Sequence, residues 1–178
     1  MSDPTVYLDT FPSWLKTLAS DVGDFARLLR AEALSETQRR FVAGGVNYIF
    51  KSLDLIPDGI EDLGYIDDAF VIRVAAALVD QEAPGAPAPV RRLAAEASTI
   101  RDFLGPDYAR LEAYVRALTK GAARGRSVDE VIGDPVTRDT LLGEVSSWVA
   151  SYQVPSFQRD EKNLVKLRAF LDSKLPRP

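Results

Sequence analysis

Six carboxylates fall within residues 53–68, LDLIPDGIEDLGYIDD: Asp54, Asp58, Glu61, Asp62, Asp67 and Asp68, with no Lys or Arg between Lys51 and Arg73. Two kinds of chemistry suit such a set. Carboxylate oxygens hold hard cations such as magnesium or calcium, and two carboxyl groups whose surroundings drive their pKa values apart serve as acid and base. EF-hand spacing is met only in part. Asp54, Asp58, Gly59 and Asp62 stand at positions 1, 5, 6 and 9 of such a loop, but Ile56 occupies position 3 and Tyr65 position 12, where a bidentate Glu is required. An EF-hand is thereby excluded, and an irregular site of Asp54, Asp58, Asp67 and Asp68 is the remaining metal candidate. Turn and capping hydrogen bonds account for Asp in such places without a metal. No cofactor is therefore expected, and the first reading of the segment is a structural corner.

The rest of the chain narrows the chemistry further. With neither Cys nor His in 178 residues, disulfides, thiolate nucleophiles, imidazole bases and the usual zinc ligand sets are excluded. No phosphate-cradling loop, dinucleotide fingerprint or Gly-x-Ser-x-Gly elbow is present, so GGV at 44–46 and GAARGR at 121–126 carry no nucleotide reading. Residues 1–82 carry 7 basic and 14 acidic side chains and residues 83–178 carry 15 and 12. An acidic balance argues against a nucleic-acid partner, because Lys and Arg on phosphates supply most of that affinity. The longest apolar runs, FVAGGVNYIF at 41–50 and AFVIRVAAALV at 69–79, fall short of the ~20 residues that span a bilayer. The first residues lack the basic and apolar regions of a secretory signal, and a cytoplasmic location is expected.

The elements that must position the corner read as helices almost throughout. Phe11, Leu15, Leu18, Val22, Phe25 and Leu29 form one apolar stripe of a helix starting near Thr10 and Pro12 and running to about residue 33. SETQ at 35–38 is a capping box that opens a second helix to about residue 51. Gly44 and Gly45 lie inside it, each costing roughly 1 kcal/mol relative to Ala, and a close helix crossing is their expected compensation. Pro57 breaks the backbone after Ile56, so residues 52–62 form the corner and a third helix starts near Leu63. APGAPAP at 83–89 is a Pro- and Ala-rich linker between residues 1–82 and residues 90–178, whose helices pack back on the first part. Beyond it, helices are expected over 90–104 and from Tyr108 to near Gly121, a short turn of helix after Ser127, a helix from Pro135 through Tyr152, and a last one after Pro155 that turns Phe157, Leu164, Leu167, Leu171 and Leu175 inward. No strand is expected. The fold class is an all-α bundle of about seven helices with a Pro- and Asp-rich corner between the second and third.

Residues 46–76 resemble the YkvA-like family, a small domain of unknown function marked by an Asp-Leu-Ile-Pro-Asp corner followed by Leu-Gly-Tyr-Leu-Asp-Asp. Asp54, Leu55, Ile56, Pro57, Asp58, Leu63, Gly64, Tyr65, Asp67 and Asp68 all fall in register. The resemblance spans about residues 40–80. Prolines that members often carry are replaced here by Ser52 and Glu61. It implies the corner but no activity, and several relatives look membrane-associated.

Two cationic features remain. Arg73 stands among apolar neighbours, where an unpaired guanidinium is costly to bury; a corner carboxylate or solvent is its expected partner. Arg116, Lys120 and Arg124 repeat at i, i+4 and i+8 and form a basic ridge if one helix continues that far, with Arg126 following; the ridge is either a solvated face or a contact for an anion or acidic partner. The expected function is non-catalytic binding of other proteins, as an adaptor or regulatory subunit. Peripheral membrane association is one alternative, disfavoured because Lys16, Arg27 and Arg30 are offset by Asp21, Asp24 and Glu32 on the first helix. A hydrolase or transferase dependent on a hard metal at the corner is the other.

Overall fold

A computed structural model describes residues 3–51, 55–56 and 63–177. Their architecture is all-α: α1 Pro4–Arg27, α2 Glu36–Ile49, α3 Ile66–Glu82, α4 Ala88–Leu104, α5 Tyr108–Ala117, α6 Val128–Gly133, α7 Pro135–Ser151 and α8 Glu161–Lys174. Seven of these are long, and α6 is the short turn of helix that the capping box at Ser127 predicts. Both capping boxes form. Ser35 accepts from the Gln38 amide while Gln38 accepts from the Ser35 amide, and Ser127 with Glu130 repeats the exchange. Asp134 caps α7 with Pro135 at its first position.

The architecture turns on α3. All fourteen residues from Ile66 to Val79 are buried, so up to its last turn this helix has no solvent face and is wrapped by α1, α2, α4 and α5. Its crossing with α2 explains Gly45, and the approach of the 3-10 turn at Leu118 to α2 explains Gly44. A methyl group added to Gly45 would lie 3.1 Å from the Ala75 Cβ, and one added to Gly44 would lie 3.2 Å from the Leu118 Cβ. Both distances are too short for comfortable packing, so close approach offsets the glycines' cost in helix stability. Of the expected 83–89 linker, residues 83–87 form the turn between α3 and α4, while Ala88 and Pro89 already open α4; the two helices pack extensively on each other.

Three boundary expectations, and the expectation that no strand forms, are corrected. The first helix begins at Pro4, not near Thr10, because Asp3 accepts from the Thr5 amide and Pro4 takes the first turn, while Tyr7 and Leu8 extend the apolar stripe inward. Pro12 lies inside that helix. The third helix begins at Ile66, after a turn in which Tyr65 takes a left-handed conformation with φ 67°. The last helix begins at Glu161, capped by Asp160, leaving Phe157 in the extended stretch before it and packed against the core. A short antiparallel ladder pairs Ala122–Ala123 with Arg126–Ser127, where no strand was expected. Arg124 and Gly125 at its tip have φ of 50° and 78°, as a type I′ hairpin turn requires.

That hairpin also breaks the basic ridge. α5 stops at Ala117, and a single 3-10 turn over Leu118–Lys120 leads to the ladder, so Arg116, Lys120 and Arg124 do not share a helix face. Arg116 pairs with Glu112 at 3.3 Å. Arg124 lies over the Phe50 ring and pairs with Glu144 of α7 at 2.9 Å, and Arg126 pairs with the same carboxylate.

Candidate functional site

Of the six acids, the structure describes Asp67 and Asp68, and both are buried. Asp67 and Asp68, in the first turn of α3, are 0% and 1% exposed. Tyr48 of α2 donates its hydroxyl to Asp67 Oδ2 at 2.5 Å and accepts from the Leu55 amide at 2.7 Å, while the Ile56 amide donates to the same carboxylate oxygen at 3.4 Å. One buried phenol therefore ties the end of α2, the corner backbone and the start of α3 together. Burial, with the charges of Asp67 and Asp68, pushes the Tyr48 phenol far above its ordinary value, so it stays a donor throughout the working pH range. On the far side, Tyr65 packs its ring against Trp148 and Tyr152 of α7 and the segment after it, with centroids 6.3 and 5.5 Å away. The Tyr152 phenol donates to the Leu15 carbonyl of α1 at 2.8 Å, and burial, reinforced by Tyr65 and Asp68, pushes its pKa up as well.

Arg73 is fully buried, but its partners among the described residues are neither solvent nor a corner carboxylate. Its Nη2 meets Asp21 of α1 at 3.2 Å, its Nε meets Glu96 of α4 at 3.1 Å, and its Nη1 donates to the Ala69 carbonyl at 3.0 Å. The guanidinium also stacks 4.1 Å from the Trp14 ring centroid. Arg92 closes the set by pairing with both Asp21 and Glu96. Two cations and two anions thus balance, with Arg73 and Asp21 buried and Glu96 and Arg92 reaching toward the surface, and Thr17 adds a hydrogen bond to Asp21 at 2.8 Å. Burial pushes the Arg73 pKa down, and Glu96 and Asp21 push it back. The correction has a physical cause: Arg73 lies two turns beyond the corner on α3, level with α1 and α4.

Of the metal candidates, Asp54 and Asp58 lie outside the described residues, as does Pro57, and Asp67 is engaged by Tyr48 and Ile56. Among the described residues no group of three or more carboxylates is placed to hold an ion, and no helix is long and apolar enough to cross a membrane.

The described surface offers a different feature. Gly23, Ala26 and Arg27 of α1 and Arg30 of the 3-10 turn over Leu28–Arg30 that continues it follow i, i+3, i+4, i+7 along one side. Leu142, Val145, Ser146 and Val149 repeat that spacing along α7, and together the two stripes wall a groove of about 360 Å³. The helices run antiparallel there, since Gly23 faces Val149 at one end and Arg30 pairs with Asp139 at 2.5 Å at the other. Helix spacing alone does not reveal this groove, because it exists only once α7 docks on α1. One signal for the buried ion set was present in the sequence: Asp21 interrupts the apolar stripe of Leu18, Val22 and Phe25 at a core position.

Residues 39–73, from Arg39 in α2 to Arg73 in α3, match the model of a protein family of unknown function, DUF1232, consistent with the YkvA-like resemblance; the rest of the chain is unassigned. No curated protein and no solved structure matches the chain.

Proposed function

We propose that this protein is a non-catalytic interaction module, an adaptor or regulatory subunit, that receives a partner protein along the groove between α1 and α7. The observation that carries this reading is the groove's construction. Ala26 and Val145 give it an apolar floor, and Arg27, Arg30 and Ser146 give it a polar rim. An apolar channel between two helices with polar edges is the form in which helical proteins take up partner segments. The matched corner then serves as scaffold. Tyr48 and Asp67 fix the angle between α2 and α3, the Arg73 set fixes α1 and α4 on α3, and Tyr65 with Tyr152 positions the end of α7 against α1.

Site-specific photocrosslinking tests it. A photoreactive residue at Ser146, in the groove, should give discrete protein adducts in extract, whereas one at Val165, which is exposed on α8, should not. Adducts at both positions alike, or at neither, would remove the groove from the interface.

A further inference from the structure

We infer that the occupant of this groove is a short amphipathic helix of a partner protein, with acidic residues flanking its apolar anchors. The inference rests on the interaction-module reading and names the chemistry of the partner. Each wall spans eight residues, and the seven steps between its ends set the length, about 10 Å at 1.5 Å per residue, which is two turns of helix. A third helix laid on two stripes of i, i+3, i+4, i+7 spacing presents the same spacing in return, so two or three apolar residues one turn apart fill the floor.

Charge sets the sign. Among the described residues no carboxylate lines the groove, while Arg27 and Arg30 stand one turn apart on the same rim. Their present partners are exposed: the Arg27–Asp24 pair is 78% and 41% exposed and the Arg30–Asp139 pair 61% and 63%. Such solvent-exposed pairs contribute little, so a partner's carboxylates can exchange for them at little cost. A second surface groove, between α3 and α4, has Asp80 beside Arg91 and Arg101 and carries no such preference. Gly23 adds an independent indication. A methyl group there would lie 3.7 Å from Val149 Cγ2, an ordinary contact, so nothing in the chain itself requires a glycine whose presence costs helix stability. The bare backbone keeps the floor of the groove low.

The test uses the full chain and three fluorescent peptides of equal length with leucines at identical helical positions and Glu, Gln or Lys on the flanks. The wild type should bind the Glu peptide at least about tenfold more tightly than the Lys peptide, with affinity falling as salt rises. Arg27→Glu with Arg30→Glu should reverse the order, and Gly23→Leu should abolish binding of all three. Thermal unfolding of each variant shows whether the fold is kept, and the reversal of preference itself requires a folded groove. Equal binding of the three peptides by the wild type would overturn the acidic partner while leaving the groove an interface. Binding of none, with adducts still forming at Ser146, would overturn the helical occupant and leave the interaction reading standing.

Discussion

Arg73 and Tyr48 answer, at the scale of single residues, what polar side chains do inside an apolar helix pair. Each is surrounded by the partners that its chemistry requires. Arg73 spends its donors on Asp21, Glu96 and the Ala69 carbonyl, and its removal leaves Asp21 buried beside only the half-exposed Arg92. Breaking one member of a buried ion set typically costs ~3–5 kcal/mol, because the other charge stays in a poor environment. Arg73→Met should therefore lower the unfolding midpoint strongly in a urea titration, and an unchanged midpoint would show that the set contributes nothing net. The residue types were legible in the sequence, but the pairing was not. A lone Arg in an apolar helix announces that a partner exists, whereas the identity of Asp21 and Glu96 depends on how α1 and α4 dock. Tyr48 gave no signal, since a tyrosine beside Val46 and Ile49 reads as ordinary core until its hydroxyl is seen to reach Asp67 and the Leu55 amide.

Helix identity was legible because apolar stripes and capping residues are local, and they marked all seven long helices. The boundaries failed where a local signal was outranked. Phe11 begins the densest part of the α1 stripe, yet Asp3 and Pro4 cap a helix whose first turns bury Tyr7 and Leu8. The basic ridge failed for the reason its own glycines suggested: Gly125 takes a positive φ at the tip of a hairpin, and its neighbour Arg124 does the same. The glycines of the helices themselves divide into two kinds, with opposite predictions. Gly45→Ala places a methyl 3.1 Å from the Ala75 Cβ and should destabilise, despite alanine's better helix propensity, by ~1–3 kcal/mol as overpacking does. Gly23→Ala meets no such obstacle and should stabilise by ~0.5–1 kcal/mol. Denaturant midpoints moving in opposite directions would bear this out, and a loss of stability in both would show that α1 and α7 lie closer than the groove requires.

Across the whole molecule, exposed or peripheral ion pairs bind the second half of the chain to the first and to itself. Arg159 hydrogen-bonds to Asp9 of α1 and holds its carboxyl below the usual range, and Arg110 does the same to Asp172 of α8. Arg110 also donates to the carbonyls of Asp172, Leu175 and Pro176, which fixes the end of the last helix. For Glu144, burial pushes upward, and the hydrogen bonds from Arg124 and Arg126 outweigh it. Folded values below the ordinary 3.8 of Asp and 4.5 of Glu mean that the unfolded chain takes up protons first as the solution is acidified. Stability from these pairs is complete above the unfolded values and is lost as pH falls through the folded ones. The melting temperature should therefore hold steady down to about pH 5 and fall below about pH 4, with a shallower fall in Asp172→Asn. A melting temperature that does not fall below about pH 4 would deny these pairs a role.

The buried phenol of Tyr48 and the buried carboxylate of Asp67 lock α2 to α3 within the family-matched segment. A double-mutant cycle with Tyr48→Phe, Asp67→Asn and the double variant, followed by urea unfolding, measures that lock directly. The two positions should be coupled by ~1–3 kcal/mol, the double variant losing markedly less than the sum of the singles. Additive losses would show that Tyr48 and Asp67 act separately, and the corner would need another explanation.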